Sequence, residues 1–342
     1  VEYQVPRLIE MGVISFKMFM TYPRRGMMMP DDKMLRAMEL ASRDGGIAMV
    51  HAENGYCIDH LVDNFTAEGH TSKEHYAPTQ PRILEIEAFN RAATYATVTD
   101  CPLYVVHLSA REILASLEKF KGDGLRLYGE TCPQYLFFTE DHLMRPDGAK
   151  WVCSPPLRTP ADNTALWQAL GDGSIQTIGT DHCPFFYDGT TPINYEGRQV
   201  SIPGKELGHG DFTLIPNGLP GIEHRLPLLW TFGVGSGRLS AERFVELTSV
   251  NPARILGLYP RKGSLLPGSD ADIVLWDPQK KHTISVRTAH MRTDHDLWEG
   301  VELTGFPVRL YLRGRLLVDG DRWMGSAGGG QFLRRQAGAP VL

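Results

Sequence analysis

The chain has 342 residues, with 35 Lys and Arg against 40 Asp and Glu, a formal charge of -5 and an isoelectric point near 6.2. That balance argues against a polyanion-binding face, so no nucleic-acid partner is expected, and no run of about 18 apolar residues marks a membrane span. The length is enough for a large core and more than one structural unit, and small molecules are the partners the composition favours.

In chain order, VEYQVPRLIE shows neither a basic n-region nor an apolar h-region, so no signal peptide is expected. The chain starts at Val1 without an initiator methionine and is expected to begin inside a larger protein. The five cysteines, Cys57, Cys101, Cys132, Cys153 and Cys183, form no C-x-x-C pair, and their odd number leaves one unpaired. This pattern fits a reducing cytoplasm.

Five strand-like runs each reach a polar residue: Val13 to Met20 carrying Lys17, Ile47 to His51, Leu103 to His107, Leu125 to Glu130, and Ile175 to Asp181. Helical periodicity lies between them at Asp31 to Arg43, Arg82 to Tyr95, Ala110 to Phe120 and Pro160 to Leu170. Alternating strands and helices predict parallel pairing, and parallel strands that deliver reactive side chains from their C-terminal ends describe a (β/α)8 barrel. The Gly- and Pro-rich stretch from Asp181 to about Pro220 shows little periodicity and is expected to form a lid or wall of the site.

A helix from about Ser240 to Leu256 precedes a break at Pro260-Arg261-Lys262-Gly263. The runs ADIVLWD, HTISVR and VRLYLRGRLLVDG then predict a small β unit with a hairpin turn at Arg313-Gly314. The expected organisation is a partial barrel over 1–258, part of a β-sandwich over 259–325, and a tail over 326–342, flexible or docked on a neighbouring subunit. Five strands cannot close an eight-stranded barrel. Three further βα units, on the order of 90 residues, are therefore expected upstream, and the chain is expected to be a fragment.

On a buried strand the Lys17 ammonium is costly unless it is paired, neutralised or chemically changed, and a neutral amine can add carbon dioxide to give a carbamate able to bridge two cations. A lone lysine on a strand more often snorkels to solvent. His51 and His107 both end apolar runs, where neutral imidazole is a good zinc ligand, although either alone reads as a satisfied core histidine. Asp181 can ligate a metal and act as a base toward water, while His182 next to it points to the opposite face. Tyr22 is placed either to donate to a developing oxyanion or to pack as an ordinary aromatic. Ser154 and Asn217 lie in rigid turn sequences whose backbone can hold a planar polar ligand, and Arg158 and Glu223 read as surface or loop-anchoring charges.

These residues sit in Ser15 to Tyr22 (SFKMFMTY), His51 to Asn54 (HAEN), Tyr104 to Ser109 (YVVHLS), Glu130 to Leu136 (ETCPQYL), Cys153 to Arg158 (CSPPLR), Gly179 to Phe185 (GTDHCPF) and Pro216 to Glu223 (PNGLPGIE). The ordered series resembles the dihydropyrimidinases and D-hydantoinases of the cyclic amidohydrolases, and it continues through Asn251-Pro252-Ala253 and Gly268 to Ile273. The resemblance implies hydrolytic ring opening of dihydropyrimidines and hydantoins to N-carbamoyl amino acids, on a TIM-like barrel whose strands 4 to 8 are these five. It also implies two divalent metals, zinc favoured, bridged by a carboxylated Lys17. His51 and His107 would hold the buried metal and Asp181 the other, with Asp181 carrying the proton. Tyr22 would steady the tetrahedral intermediate, while Ser154 and Asn217 would grip the ring's imide through their backbone. A cytoplasmic homotetramer is further implied.

One departure stands out. The family carries a His-x-His pair for the more exposed metal, and none of the twelve histidines here forms one. The chain alone is thus expected to be inactive or very weak. The competing expectations are an allantoinase or dihydroorotase, and a non-catalytic dihydropyrimidinase-related scaffold.

Overall fold

The computed structural model describes residues 1–338, so residues 339–342 of the expected tail lie outside the described residues. All five strand-like runs pair in parallel, in sequence order: β1 Ser15–Phe19, β2 Ile47–His51, β3 Leu103–Val105, β4 Leu127–Thr131 and β5 Thr177–Ile178. The register aligns Lys17 with Met49 and Phe19 with His51, then Met49 with Tyr104 and Tyr104 with Tyr128. Side chains alternate along a strand, so Lys17, Met49, His51, Tyr104, Tyr128 and Glu130 share one face. Met49, Tyr104 and Tyr128 on that face pack into a small core of their own with Ile47, Val106 and Ile255. The opposite face, with Met18, Val50, Leu103, Val105 and Leu127 buried, packs against the helices.

The helices are α1 Gln4–Glu10, α2 Asp31–Asp44, α3 Gly55–Ala67, α4 Arg82–Val98, α5 Glu112–Gly122, α6 Pro133–Phe137 and α7 Pro160–Asp172. In α2 the acids Asp31 and Asp32 sit in the first turn and Arg43 in the last, complementing the helix dipole; Gly45 ends the helix at φ 78. Its buried residues Met34, Ala37, Met38 and Ala41 recur at helical spacing and form the stripe facing the sheet. α4 presents Ala88, Phe89, Ala92, Ala93 and Ala96, all fully buried, which lets its backbone approach closely. α7 opens with a Thr159–Asp162 capping box and Pro160 in its first turn.

The stretch after Asp181 is less irregular than its composition suggested. It holds a two-stranded hairpin, β6 Ile193–Tyr195 with β7 Arg198–Val200, and short 3-10 turns at Lys205–Gly208 and Phe212–Leu214. The helix expected from Ser240 divides into Ala241–Val245, a π-helical Glu246–Val250 and Asn251–Ile255.

The β unit is a four-stranded antiparallel sheet of β8 Ile273–Thr283, β9 Glu302–Leu312, β10 Arg315–Asp319 and β11 Arg322–Trp323. Arg313 and Gly314 make the turn at φ 48 and 75, the left-handed pair a two-residue hairpin demands. HTISVR does not form its own strand. Its first residues end β8, and Ile284, fully buried, drops into the main core together with Leu297 and Trp298. Asp294 from that excursion accepts the backbone N–H groups of Tyr187 and Asp188 at 2.7 Å each, tying it to the loop after Asp181. In the tail, the N–H groups of Arg335, Gln336 and Gly338 donate to the carbonyls of Gly12, Gly257 and Gly45 of the same chain.

Candidate active site

The polar ends of the strands meet at one edge of the sheet. His51 and His107 are buried, with ring centroids 4.4 Å apart in an edge contact. Burial pushes the His51 imidazole down to about 3, helped by the charge of Lys17. Burial likewise holds His107 well below the usual range, with His51 adding to the effect and Asp181 opposing it. Both rings are therefore neutral at pH 7, the form a metal needs. His51 Nε2 lies 2.6 Å from Glu53 Oε2, so a neutral His51 donating there leaves its Nδ1 lone pair for a cation. His107 Nδ1 is buried with no hydrogen-bond partner among the described residues.

Lys17 is exposed, because β1 is an edge strand of the described sheet. The burial expected of it is therefore not found. Its Nζ lies 4.9 Å from the Phe19 ring centroid, and its charge is felt by His51, His107 and Glu130. Among the described residues, no group of three His, Cys, Asp or Glu side chains is placed to hold a cation without Lys17. The donors fit a metal when Lys17 contributes as a carboxylate, since an ammonium is no ligand and a carbamate is. His107, Asp181 and Tyr22 take the left-handed backbone conformation, at φ 44, 46 and 64. For a non-glycine residue each costs roughly 1–2 kcal/mol, and these three of the seven such residues among the described ones fall just past strands of the parallel sheet.

Tyr22, Ser154 and Asn217 come together as well. Burial and the charge of Glu53 push the Tyr22 phenol up to about 12, while Ser154 and Asn217 beside it pull in the other direction. Its ring centroid is 5.8 Å from that of His51. The loop carrying Ser154 meets the loop carrying Asn217 through the Gly218 N–H, which donates to the Val152 carbonyl at 3.1 Å. His182 turns away from the strand ends, and its Nδ1 accepts the Gly221 and Ile222 N–H groups at 3.2 and 3.4 Å.

Four residues given no role from the sequence hold this arrangement. Glu53 joins His51 to Ser154, whose Oγ donates to Glu53 Oε2 at 2.6 Å. Arg158, buried rather than at the surface, donates to Ser109 Oγ, the Gln80 carbonyl and Glu85 Oε2 at 3.1, 2.7 and 3.1 Å. Glu85 in turn accepts the Ser109 N–H at 2.9 Å, two residues after His107. Glu130 accepts the Tyr104 hydroxyl at 2.7 Å, and burial raises its pKa against bonds from Tyr104 and the His107 backbone. Glu53 stood in the HAEN segment and Glu130 at the end of a strand-like run, which were the signals to find them. Glu223 pairs with His290 at 2.7 Å and anchors a loop.

Known proteins share this fold and much of this sequence. The profile of the Amidohydrolase family matches residues 15–316. D-hydantoinase of Streptomyces coelicolor is 44% identical over 331 residues, which cover 96% of this chain and 67% of that protein. D-hydantoinase of Rhizobium radiobacter is 41% identical over 332 residues, 96% of this chain and 69% of that one. The structure of D-hydantoinase from a Bacillus sp. AR9 superposes with a TM-score of 0.91 at 40% identity, covering 97% of this chain and 70% of that chain. Dihydropyrimidinase from Brevibacillus agri gives 0.91 at 39% identity, covering 99% and 72%.

Proposed function

The chain belongs to the amidohydrolase family, and from that premise we propose that it serves the hydrolytic ring opening of hydantoins and dihydropyrimidines. The observation that carries this reading is the 5.8 Å approach of the Tyr22 and His51 rings, which puts an oxyanion donor beside a metal-ligand candidate in one mouth. Carboxylated Lys17, His51, His107 and Asp181 would hold divalent metal, zinc by preference. That metal would supply an activated water and a polarised carbonyl.

The chain's own residues do the rest. Backbone groups at Ser154 and Asn217 grip the planar imide and orient the ring. The Tyr22 hydroxyl, kept protonated by its high pKa, donates to the carbonyl oxygen as negative charge develops there. Asp181 takes the proton from the attacking water and passes it to the ring nitrogen as the C–N bond breaks, leaving an N-carbamoyl amino acid. Water is the only co-reactant, and atoms and charge balance.

On this reading the candidates are ligands for one cation and part of a second, so ring opening by the 342-residue chain alone is expected to be weak or absent. A protein that also carries a His-x-His pair is expected to be active. The organisation into a partial barrel over 1–258, part of a sandwich over 259–325 and a tail, and assembly as a homotetramer, belong to the same reading.

The test is zinc-loaded protein, with and without such a pair, assayed on dihydrouracil, a 5-substituted hydantoin, allantoin and dihydroorotate. N-carbamoyl products from the first two support the reading. Preference for allantoin or dihydroorotate replaces it with one of those activities, and failure to bind metal returns the protein to the scaffold class.

A further inference from the structure

Lys205 is the one lysine fully enclosed in the described chain, at 1% exposure, and no carboxylate pairs with it. Its Nζ donates to the Val152 carbonyl at 3.0 Å and to the Pro216 carbonyl at 3.1 Å. Val152 lies two residues before Ser154, and Pro216 adjoins Asn217. The Val152 carbonyl also accepts the Gly218 N–H, and the Lys205 N–H donates to the Phe186 carbonyl at 2.8 Å. The Leu219 carbonyl accepts the N–H of Cys183, two residues after Asp181, at 3.1 Å. The Lys205 side chain therefore joins the 152–154 and 216–219 loops, while its backbone N–H holds the 183–186 loop beside them.

The fit is tight. A Cβ at Gly218 would stand 2.4 Å from the Cys183 carbonyl oxygen, so nothing larger than glycine allows the loops to come this near. Two carbonyl acceptors match the two N–H bonds of a neutral amine, whereas an ammonium would leave a third donor without a partner. Burial pushes the Lys205 amine down to about 7, in keeping with that count.

We propose that Lys205 is a positioning residue, which fixes the spacing between the Ser154 and Asn217 loops and through it the affinity for the cyclic substrate. It touches neither the metal-ligand candidates nor the ring. This inference rests on the ring-opening reading, because it takes those two loops as the ones that hold the imide.

The experiment compares the wild-type chain with Lys205→Met, which keeps the volume and removes the donors, and with Lys205→Gln, which keeps donors on a shorter arm. Amide hydrogen exchange by mass spectrometry, zinc uptake, and calorimetric binding of hydantoin are measured on each. In Lys205→Met, exchange is expected to rise about tenfold in the peptides holding Val152 and Gly218, and hydantoin affinity to fall about tenfold. Zinc uptake, and exchange around His51 and His107, are expected to stay unchanged, with Lys205→Gln falling between. A purely structural lysine would instead loosen all regions together.

Unchanged exchange at the two loops overturns the proposal, as does loosened exchange with unchanged hydantoin affinity. Should Lys205→Met fail to fold, the same two readouts on Lys205→Gln decide it. If the wild-type chain binds no hydantoin, the ring reading fails and takes the affinity claim with it. The exchange data still decide separately whether Lys205 spaces the loops.

Discussion

Glu53 Oε2 lies 2.6 Å from His51 Nε2, and both residues are buried. The same oxygen accepts the Ser154 hydroxyl, so the orientation of a metal-ligand candidate and the position of the loop proposed to grip the ring depend on one carboxylate. Burial pushes the Glu53 carboxyl up to about 7, so its hold on the His51 tautomer rests on the hydrogen bond, which the amide of Glu53→Gln would weaken. Metal affinity is expected to fall about 10- to 100-fold, measured by competition with a chromogenic chelator. An unchanged affinity would show that His51 is oriented by packing alone.

Lys17→Ala removes the group proposed to bridge two cations. It is expected to abolish stoichiometric zinc binding, with partial recovery in millimolar acetate or propionate, whose carboxylate fills the vacated place. In wild-type protein equilibrated with carbon-13 bicarbonate, a carbamate carbon resonance is expected and is absent in the variant. Full zinc occupancy in Lys17→Ala sinks the carboxylated-lysine reading.

Tyr22→Phe keeps the ring and removes the hydroxyl donor. Wherever ring opening is measurable, kcat is expected to drop about 10²-fold or more, with KM changing far less, since the bond is strongest in the transition state. A rise in KM at constant kcat would recast Tyr22 as a simple contact to the ground-state ring.

The Arg158–Glu85 pair is almost fully enclosed, with N–O separation 3.1 Å. Arg158→Met leaves the Glu85 carboxylate uncompensated and is expected to cost about 3–5 kcal/mol in urea unfolding. Replacing both partners by apolar residues is expected to cost less than the single change. Additive losses would contradict the pairing.

Lys205 predicts a pH dependence of stability. Its folded pKa of about 7 lies below the ordinary lysine value of 10.5, so between those limits the unfolded chain binds the extra proton. Stability therefore rises with pH across that window, by at most about 1.4 kcal/mol per pH unit from this group, and the gain is missing below 7. The neighbouring thiols Cys153 and Cys183 favour the charged amine and blunt the slope, while His295 also faces it. Urea midpoints at pH 7, 8 and 9 are expected to climb in wild type relative to Lys205→Met, and parallel curves would refute the assignment.

Much of the layout was legible because its causes are local. Apolar runs bounded by Gly, Pro and polar residues marked all five parallel strands, and helical spacing marked four of the helices between them, but not Gly55–Ala67 or Pro133–Phe137. The ends were less legible where the backbone itself turns. β3 stops at Val105 because the chain leaves extended geometry before His107, and the Glu246–Val250 helix widens without any change in period. Lys17 read as a strand residue, but its exposure depends on what lies beside β1, which no local pattern encodes. Ser154 and Glu53 are 101 residues apart, so their bond is invisible until the fold exists. Lys205, between glycines in an aperiodic stretch, has the sequence context of a surface lysine and is a core one only because three loops meet over it.

The left-handed backbone at Tyr22, His107 and Asp181 has a consequence for engineering. Glycine at any of the three would relieve the clash with the following carbonyl, so a directed-evolution campaign screening for heat tolerance alone would find these positions attractive. Each apparent improvement there would delete the proposed donor, ligand or proton carrier. A screen that scores survival must therefore score turnover in the same round, or its hardiest winners will be those that have lost their trade.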